Sequence, residues 1–261
     1  MPVVRSGDAD IAYEITGEGD PLLMIMGFMS DSRMWVLQTP VFAQHFRCVT
    51  FDNRGVGMSS VPPGPYTMEQ MAADALAVMD DAGIERAHVL GISMGGAIAQ
   101  HIALKAPERV RSLVLAATWC HPNPWLDRLG DIGRRVSELG HEAFTRSVLL
   151  WLFTPRLVIT QPDVVETIEQ MVLAFQPPGE TFANQIAAVH AHDTREQLRQ
   201  LDVPALVLGA RRDFMVPPEL AEVVAQSLPN ARLEMLDGGH AFSAENAQEF
   251  NRVILEFLQS H

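Results

Sequence analysis

Positive charge is scarce in this chain. Its 261 residues hold 19 Lys and Arg against 32 Asp and Glu, a formal net charge of −13 with a pI near 5.0. Nucleic acids and anionic membranes are held through clustered cations, so neither is expected as a partner. Lys105 is the only lysine. Cysteine is nearly absent, and Cys48 and Cys120 are too few for a disulfide framework. Cys48 falls in a predicted core strand as a small hydrophobe, and Cys120 follows another, where a pocket position is open to it. No run approaches the roughly 18 apolar residues of a membrane span. The first residues, Met1 to Asp8, have no apolar stretch of the secretory type, so the expected location is the cytoplasm. Phosphate-binding glycine spacing is also missing. Asp52-Asn53-Arg54-Gly55-Val56-Gly57 fits neither Gly-x-Gly-x-x-Gly nor a P-loop, and a structural turn is expected there.

What is present is a globular composition, 48% hydrophobic and 20% charged, enough for one large domain or a domain with an insert. Ile11, Tyr13 and Ile15 alternate as in a half-buried strand. Leu22 to Met26, Arg47 to Phe51, Ala87 to Leu90, Val110 to Ala117, Ala205 to Leu208 and Ala231 to Leu236 read as further strands. Thr67 with Gln70 forms a capping-box pattern before a helix whose apolar face is Met68, Met71, Ala72, Ala75, Leu76 and Met79, with Gly83 placed to end it. Met94 to Ala106, Pro218 to Leu228 and Ala247 to Leu258 read as helices. Strands alternating with helices predict a mostly parallel sheet covered on both faces.

Residues 119–199 break that alternation. Phe144, Val148, Leu149 and Leu152, then Val164, Val165, Ile168, Met171, Val172 and Phe175, recur at helical spacing, and Pro122, Pro124, Pro155, Pro162, Pro177 and Pro178 punctuate them. A helical cap is expected over 119–199, set into a core formed by 1–118 and 200–261. Trp125, Trp151, Phe153, Met171, Phe175 and Phe182 are expected in the cap's own core, with one or two facing a substrate. His190 and His192 would face apart on a helix, so no metal site is expected.

Gly91-Ile92-Ser93-Met94-Gly95 lies between a predicted strand and a predicted helix, the setting in which Gly-x-Ser-x-Gly exposes a nucleophilic hydroxyl. Serine needs a base and a group to orient that base. Asp213 follows the strand ending at Gly209, and His240 follows the last strand. Ends of parallel strands meet at one crevice, so Ser93, His240 and Asp213 form a candidate catalytic triad. Asp202 precedes its strand and Asp237 is too near His240, so both are set aside. His45, His88, His101 and His261 lie in elements directed away from the crevice. The backbone N–H groups of Phe28 and Met94 are candidate oxyanion donors. Trp125, Trp151, Met215 and His190 are candidate pocket residues, with His121 a further one.

These segments resemble the α/β-hydrolase superfamily over nearly the whole chain. The matching pieces are Met26-Gly27-Phe28, Phe51 to Ser59, Gly91 to Gly96, Gly209 to Asp213 and Gly238-Gly239-His240, with Ala106 to Val110 linking helix to strand. The resemblance is to small capped enzymes that include 3-oxoadipate enol-lactonases, cofactor-free haloperoxidases and bacterial carboxylesterases. It implies an eight-stranded, mostly parallel sheet with a helical cap inserted after the sixth strand. It also implies a serine hydrolase of a small ester or lactone, needing no cofactor. Carbon–carbon bond hydrolysis of vinylogous diketones, a perhydrolase or haloperoxidase side activity and a slow ligand-binding receptor stay open, as does the oligomeric state. One departure is Met26 where the family usually has histidine before the oxyanion glycine.

Overall fold

The structure is a computed structural model that describes residues 1–174 and 179–261. Its strands are β1 (Val3–Ser6), β2 (Ala9–Thr16), β3 (Asp20–Ile25), β4 (Phe46–Phe51), β5 (Ala87–Ile92), β6 (Val110–Ala116), β7 (Ala205–Ala210) and β8 (Ala231–Leu236). They form one sheet in the order β1-β2-β4-β3-β5-β6-β7-β8. The pairings β1–β2 and β2–β4 are antiparallel, and all others are parallel. The short helix α1 (Thr39–Phe42) and α2 (Met68–Asp81) precede β5, and α3 (Met94–Lys105) joins β5 to β6. Between β6 and β7 run α4 (Pro124–Ser137), α5 (His141–Leu152), α6 (Pro155–Thr160), α7 (Pro162–Leu173), α8 (Glu180–Ala191) and α9 (Arg195–Leu198). Helix α10 (Pro218–Ser227) joins β7 to β8, and α11 (Phe242–Glu245) and α12 (Ala247–Leu258) follow.

The sheet is buried on both faces because its central strands carry mostly apolar side chains, and the buried polar side chains of His88 and Ser112 bond to each other at 2.7 Å. Leu23, Ile25, Leu113, Leu115 and Val207 point to the face covered by α2, α3 and α10. Leu22, Met24, Val114, Leu206 and Leu208, one residue out of phase, point to the face covered by α12. Helix α2 starts as its sequence predicts. Thr67 Oγ1 accepts the Gln70 N–H, and the Gln70 side chain accepts the Thr67 N–H. Gly83, at φ 67°, sits just beyond its end.

The structure departs from the sequence reading in places. Strand β1, half exposed at the sheet edge, has too weak a pattern to be predicted. Strands β5 and β7 each run two residues further than expected. Phe153 and Phe182 are buried as expected, but Trp125 and Met171 are 40% and 37% exposed. Helix α7 has no fully buried side chain, and the apolar cluster against which its Val165 and Ile168 pack is built on Leu149, Phe153 and Leu157. Phe175, Pro177 and Pro178 lie outside the described residues.

Candidate active site

Three connections at the carboxyl ends of β5, β7 and β8 carry Ser93, Asp213 and His240. His240 Nε2 lies 3.0 Å from Ser93 Oγ, and His240 Nδ1 lies 2.8 Å from Asp213 Oδ2. The second carboxylate oxygen, Oδ1, accepts the N–H groups of Met215 and Val216, each at 2.8 Å. Asp213 and His240 are both buried. The carboxylate is therefore fixed by its own loop while its other oxygen fixes the imidazole. With Nδ1–H donated to Asp213, Nε2 is free to take the serine proton.

Ser93 stands at the turn between β5 and α3 with φ 55° and ψ −122°. Such a conformation costs an L-residue on the order of 1–3 kcal/mol and lasts only where neighbours impose it. The Ser93 N–H donates to Ala116 C=O at 2.8 Å, and its C=O accepts from Thr118 Oγ1 at 2.8 Å and Gly96 N–H at 2.9 Å. The flanking glycines are needed for space. A Cβ on Gly91 would lie 2.2 Å from Gly95 O, and one on Gly95 would lie 2.1 Å from Ile25 O. Thr118, which grips the turn, reaches it across the space left by Gly96.

Met94 is the first residue of α3, so its N–H is one of those a helix N-terminus leaves unpaired. Strand β3 neighbours β5 and brings Gly27 so close that a Cβ there would lie 3.1 Å from Ser93 Cβ. Phe28 comes next, and both candidate oxyanion donors thus border the serine. Where the family usually has histidine, Met26 is buried and its C=O accepts from Asn53 Nδ2 at 3.0 Å.

The candidate pocket residues are spread more widely. Trp125, on α4, lies edge to face with Phe214, and its Nε1–H donates to Phe214 C=O at 3.0 Å, next to Asp213. Met215 contributes the N–H to Asp213 already described. Trp151 is half-buried on α5. His190, in the last turn of α8, turns Nε2 toward α4, where a Cβ on Gly130 would lie 2.6 Å away. His121 is bonded through Nδ1 to Pro122 C=O. Cys120, for which a pocket position was open, is instead fully buried against Ser227, and burial pushes its thiol up to about 11.

The residues set aside have other partners. Asp202 accepts from Asn230, and Asp237 pairs with Arg212. His192 Nε2 meets Trp119 C=O at 3.1 Å while its Nδ1 meets His101 Nε2, far round the helix end from His190. Among the described residues no group of three His, Cys, Asp or Glu is arranged to hold a metal ion. Asp52 closes its turn by accepting the N–H groups of Ser32 and Met58 at 2.9 and 2.8 Å.

Sequence reasoning missed four residues that build the site from a distance: Asn53, Thr118, Gln185 and Glu245. The Glu245 carboxylate accepts from Gly239 N–H at 3.0 Å, from Thr154 N–H at 3.2 Å and from the Thr154 hydroxyl, tying the His240 loop to the junction of α5 and α6. None of the four stands at a diagnostic spacing from its partner.

Comparison with known proteins agrees with this architecture. A curated relative from Azorhizobium caulinodans, named "Putative carbamate hydrolase RutD", is 37% identical over 259 residues, 98% of each chain. The enol-lactonase from Burkholderia xenovorans LB400 superposes with a TM-score of 0.90 at 29% identity, covering 99% of this chain and 100% of that one. A thermophilic esterase from Thermogutta terrifontis gives 0.89 at 29% identity, covering 99% and 98%. The family model described as alpha/beta hydrolase fold matches residues 20–247, and the chain belongs to that family.

Proposed function

We propose that this chain is a serine hydrolase that cleaves a small carboxylic ester or lactone through an acyl-Ser93 intermediate. The observation that carries the proposal is the continuous line of hydrogen bonds from Ser93 through His240 to Asp213. Ser93 Oγ attacks the carbonyl carbon as His240 Nε2 takes its proton. The carbonyl oxygen becomes negative and is met by the N–H groups of Phe28 and Met94. Collapse breaks the bond to the leaving oxygen, which takes the proton from His240. Water then attacks the acyl-serine, His240 again accepting a proton, and Ser93 is released with its hydroxyl restored. Asp213 holds the imidazole tautomer and stabilises the imidazolium throughout. Every proton is accounted for by the chain's own groups, so the cycle calls for no cofactor. Residues 119–199 act as the cap, with Trp125, Trp151 and Met215 facing the substrate.

A carbamate is the second reading, favoured by the name of the 37% identical relative. Its carbonyl would be attacked in the same way, but that carbonyl carries nitrogen as well as oxygen, so loss of the oxygen would leave a carbamoyl-Ser93 for water to hydrolyse.

Two measurements test the nucleophile. A fluorophosphonate probe followed by peptide mapping should label Ser93 alone. Ser93→Ala should lower turnover of p-nitrophenyl acetate by at least about a thousandfold with an unchanged thermal midpoint. Activity near wild type in that variant would end the assignment. A panel of uncharged esters, lactones and carbamates then ranks the substrate classes.

A further inference from the structure

We infer that Gln185, on helix α8, is a positioning residue for the oxyanion loop, holding the Phe28 N–H in line with Ser93. The inference rests on Ser93 being the nucleophile. The Gln185 side chain is fully buried. Its Oε1 accepts the Met29 N–H at 2.9 Å, and its Nε2 donates to Arg54 C=O at 3.1 Å. A backbone donor on one side and a backbone acceptor on the other leave the carboxamide a single orientation.

Met29 follows Phe28 directly and has φ 56°, a left-handed conformation that methionine rarely adopts. On the other side of Phe28, Met26 C=O is held by Asn53. The segment that carries the Phe28 N–H is thus bracketed by two side-chain amides. Both trace to the same turn, since Asn53 adjoins the Arg54 that anchors Gln185. The Phe28 ring lies edge to face on Phe182, one turn before Gln185 on α8. Helix α8 is itself fastened to the core: Thr181 Oγ1 donates to Gly55 C=O at 2.6 Å, and Tyr66 N–H donates to Asn184 C=O at 3.1 Å.

An oxyanion donor contributes in proportion to how well it is aimed at the developing charge, and small misplacements are costly. If Gln185 aims Phe28, its loss should weaken the transition state far more than substrate binding. A residue that only fastened the cap would instead alter stability or substrate affinity.

Two variants separate these roles. Gln185→Met keeps the volume and removes both hydrogen bonds. Gln185→Glu, when protonated, accepts from Met29 and donates to Arg54 C=O. When ionised it has no proton to give. With p-nitrophenyl acetate, Q185M should lose about tenfold to a hundredfold in kcat, with KM within about threefold of wild type. Phenylboronic acid forms a B–O bond to Ser93 Oγ and presents a negative tetrahedral centre, so its inhibition constant should rise in step with the loss in kcat. The midpoint of kcat/KM against pH should not move, because the contacts of His240 are untouched. Q185E should regain activity on the acid side, its ratio to wild type falling as pH rises. A folded Q185M with kcat within about threefold of wild type overturns the inference. Should Q185M fail to fold, a pH-independent ratio for Q185E does the same. Fluorophosphonate labelling of wild-type Ser93 keeps the two levels apart. If Ser93 is unlabelled, the nucleophile assignment falls, and the inference with it. If Ser93 is labelled and Q185M is unimpaired, the inference alone falls.

Discussion

Gly95→Ala sets two opposing magnitudes against each other. Gly95 lies in the first turn of α3, and on helix propensity alone alanine should stabilise it by about 1 kcal/mol. The added Cβ, however, would stand 2.1 Å from Ile25 O, 2.7 Å from Ile25 C and 2.8 Å from Met26 O. These are backbone atoms of β3 and the loop after it, and no rotamer change relieves the contact. Overpacking a rigid interior costs about 1–3 kcal/mol, and a backbone clash this close belongs at or above the top of that range. The clash therefore wins by about 2 kcal/mol, which lowers the thermal midpoint by about 4–8 °C in a chain of this size. The relief available is for β3 and α3 to separate, which draws the Phe28 N–H away from the Met94 N–H. Catalysis should then fall by more than the stability loss explains, with p-nitrophenyl acetate turnover at 25 °C down at least about tenfold in protein shown to be folded by circular dichroism. Gly179→Ala is the control. Among the described residues nothing lies within 4 Å of its added Cβ, and its φ is −57°, so the change should be neutral or mildly stabilising. A Gly95→Ala protein as stable and as active as wild type would refute the close approach of the two segments.

Two further predictions concern stability. Arg54 and Asp74 form a buried pair joined at 2.7 and 2.9 Å, so Arg54→Met, which strands the carboxylate, should cost about 3–5 kcal/mol in urea unfolding, while the double variant Arg54→Met with Asp74→Leu should recover most of it. Burial pushes His88 down to about 4 and His192 down to about 3, so both stay neutral in the fold at pH 5 while the unfolded chain binds protons below about 6.5. The sign follows: stability present above pH 6.5 is lost as pH falls, by about 2 kcal/mol for each of the two by pH 5, and urea unfolding that is flat between pH 7 and 5 would contradict it.

The parts legible in the sequence were those coded by neighbours along the chain. The alternation of Leu22 to Ile25 with the residues of α2 and α3 marks strand and helix within a short window. Ser93, Asp213 and His240 could be grouped as candidates because each lies within a few residues of the end of a strand in the parallel part of the sheet, which makes chain order a guide to position. The candidate pocket residues lacked that guide. Trp125 finds Phe214 across 89 residues, and His190 turns under Gly130 rather than toward any strand end. Gln185, bonded to residues 131 and 156 positions away, has no local pattern at all. An amide on an amphipathic helix reads as a solvated position, and only the fold shows that α8 buries it against two loops.

The distribution of backbone strain makes the same division physical. Among the described residues, Met29, Ser93 and Ala117 are the non-glycine positions with positive φ, and they follow β3, β5 and β6 at one end of the sheet. At about 1–3 kcal/mol each, their combined strain is comparable to the net stability of a typical domain, about 5–15 kcal/mol. Each must be held. The Ser93 N–H is taken by Ala116 C=O and the Ala117 N–H by Leu208 C=O, both from adjoining strands. These two bonds form whenever the sheet forms, so the Ser93 turn is as durable as the core. The Met29 N–H is taken by Gln185 Oε1, a side chain that arrives only when α8 docks. The Ser93 hydroxyl and the Phe28 N–H proposed as an oxyanion donor therefore depend on different parts of the fold. A perturbation of α8 should slow the turnover of esters while Ser93 is still labelled to completion by a fluorophosphonate, if more slowly, whereas a change in the sheet that displaces Ser93 should abolish the labelling as well.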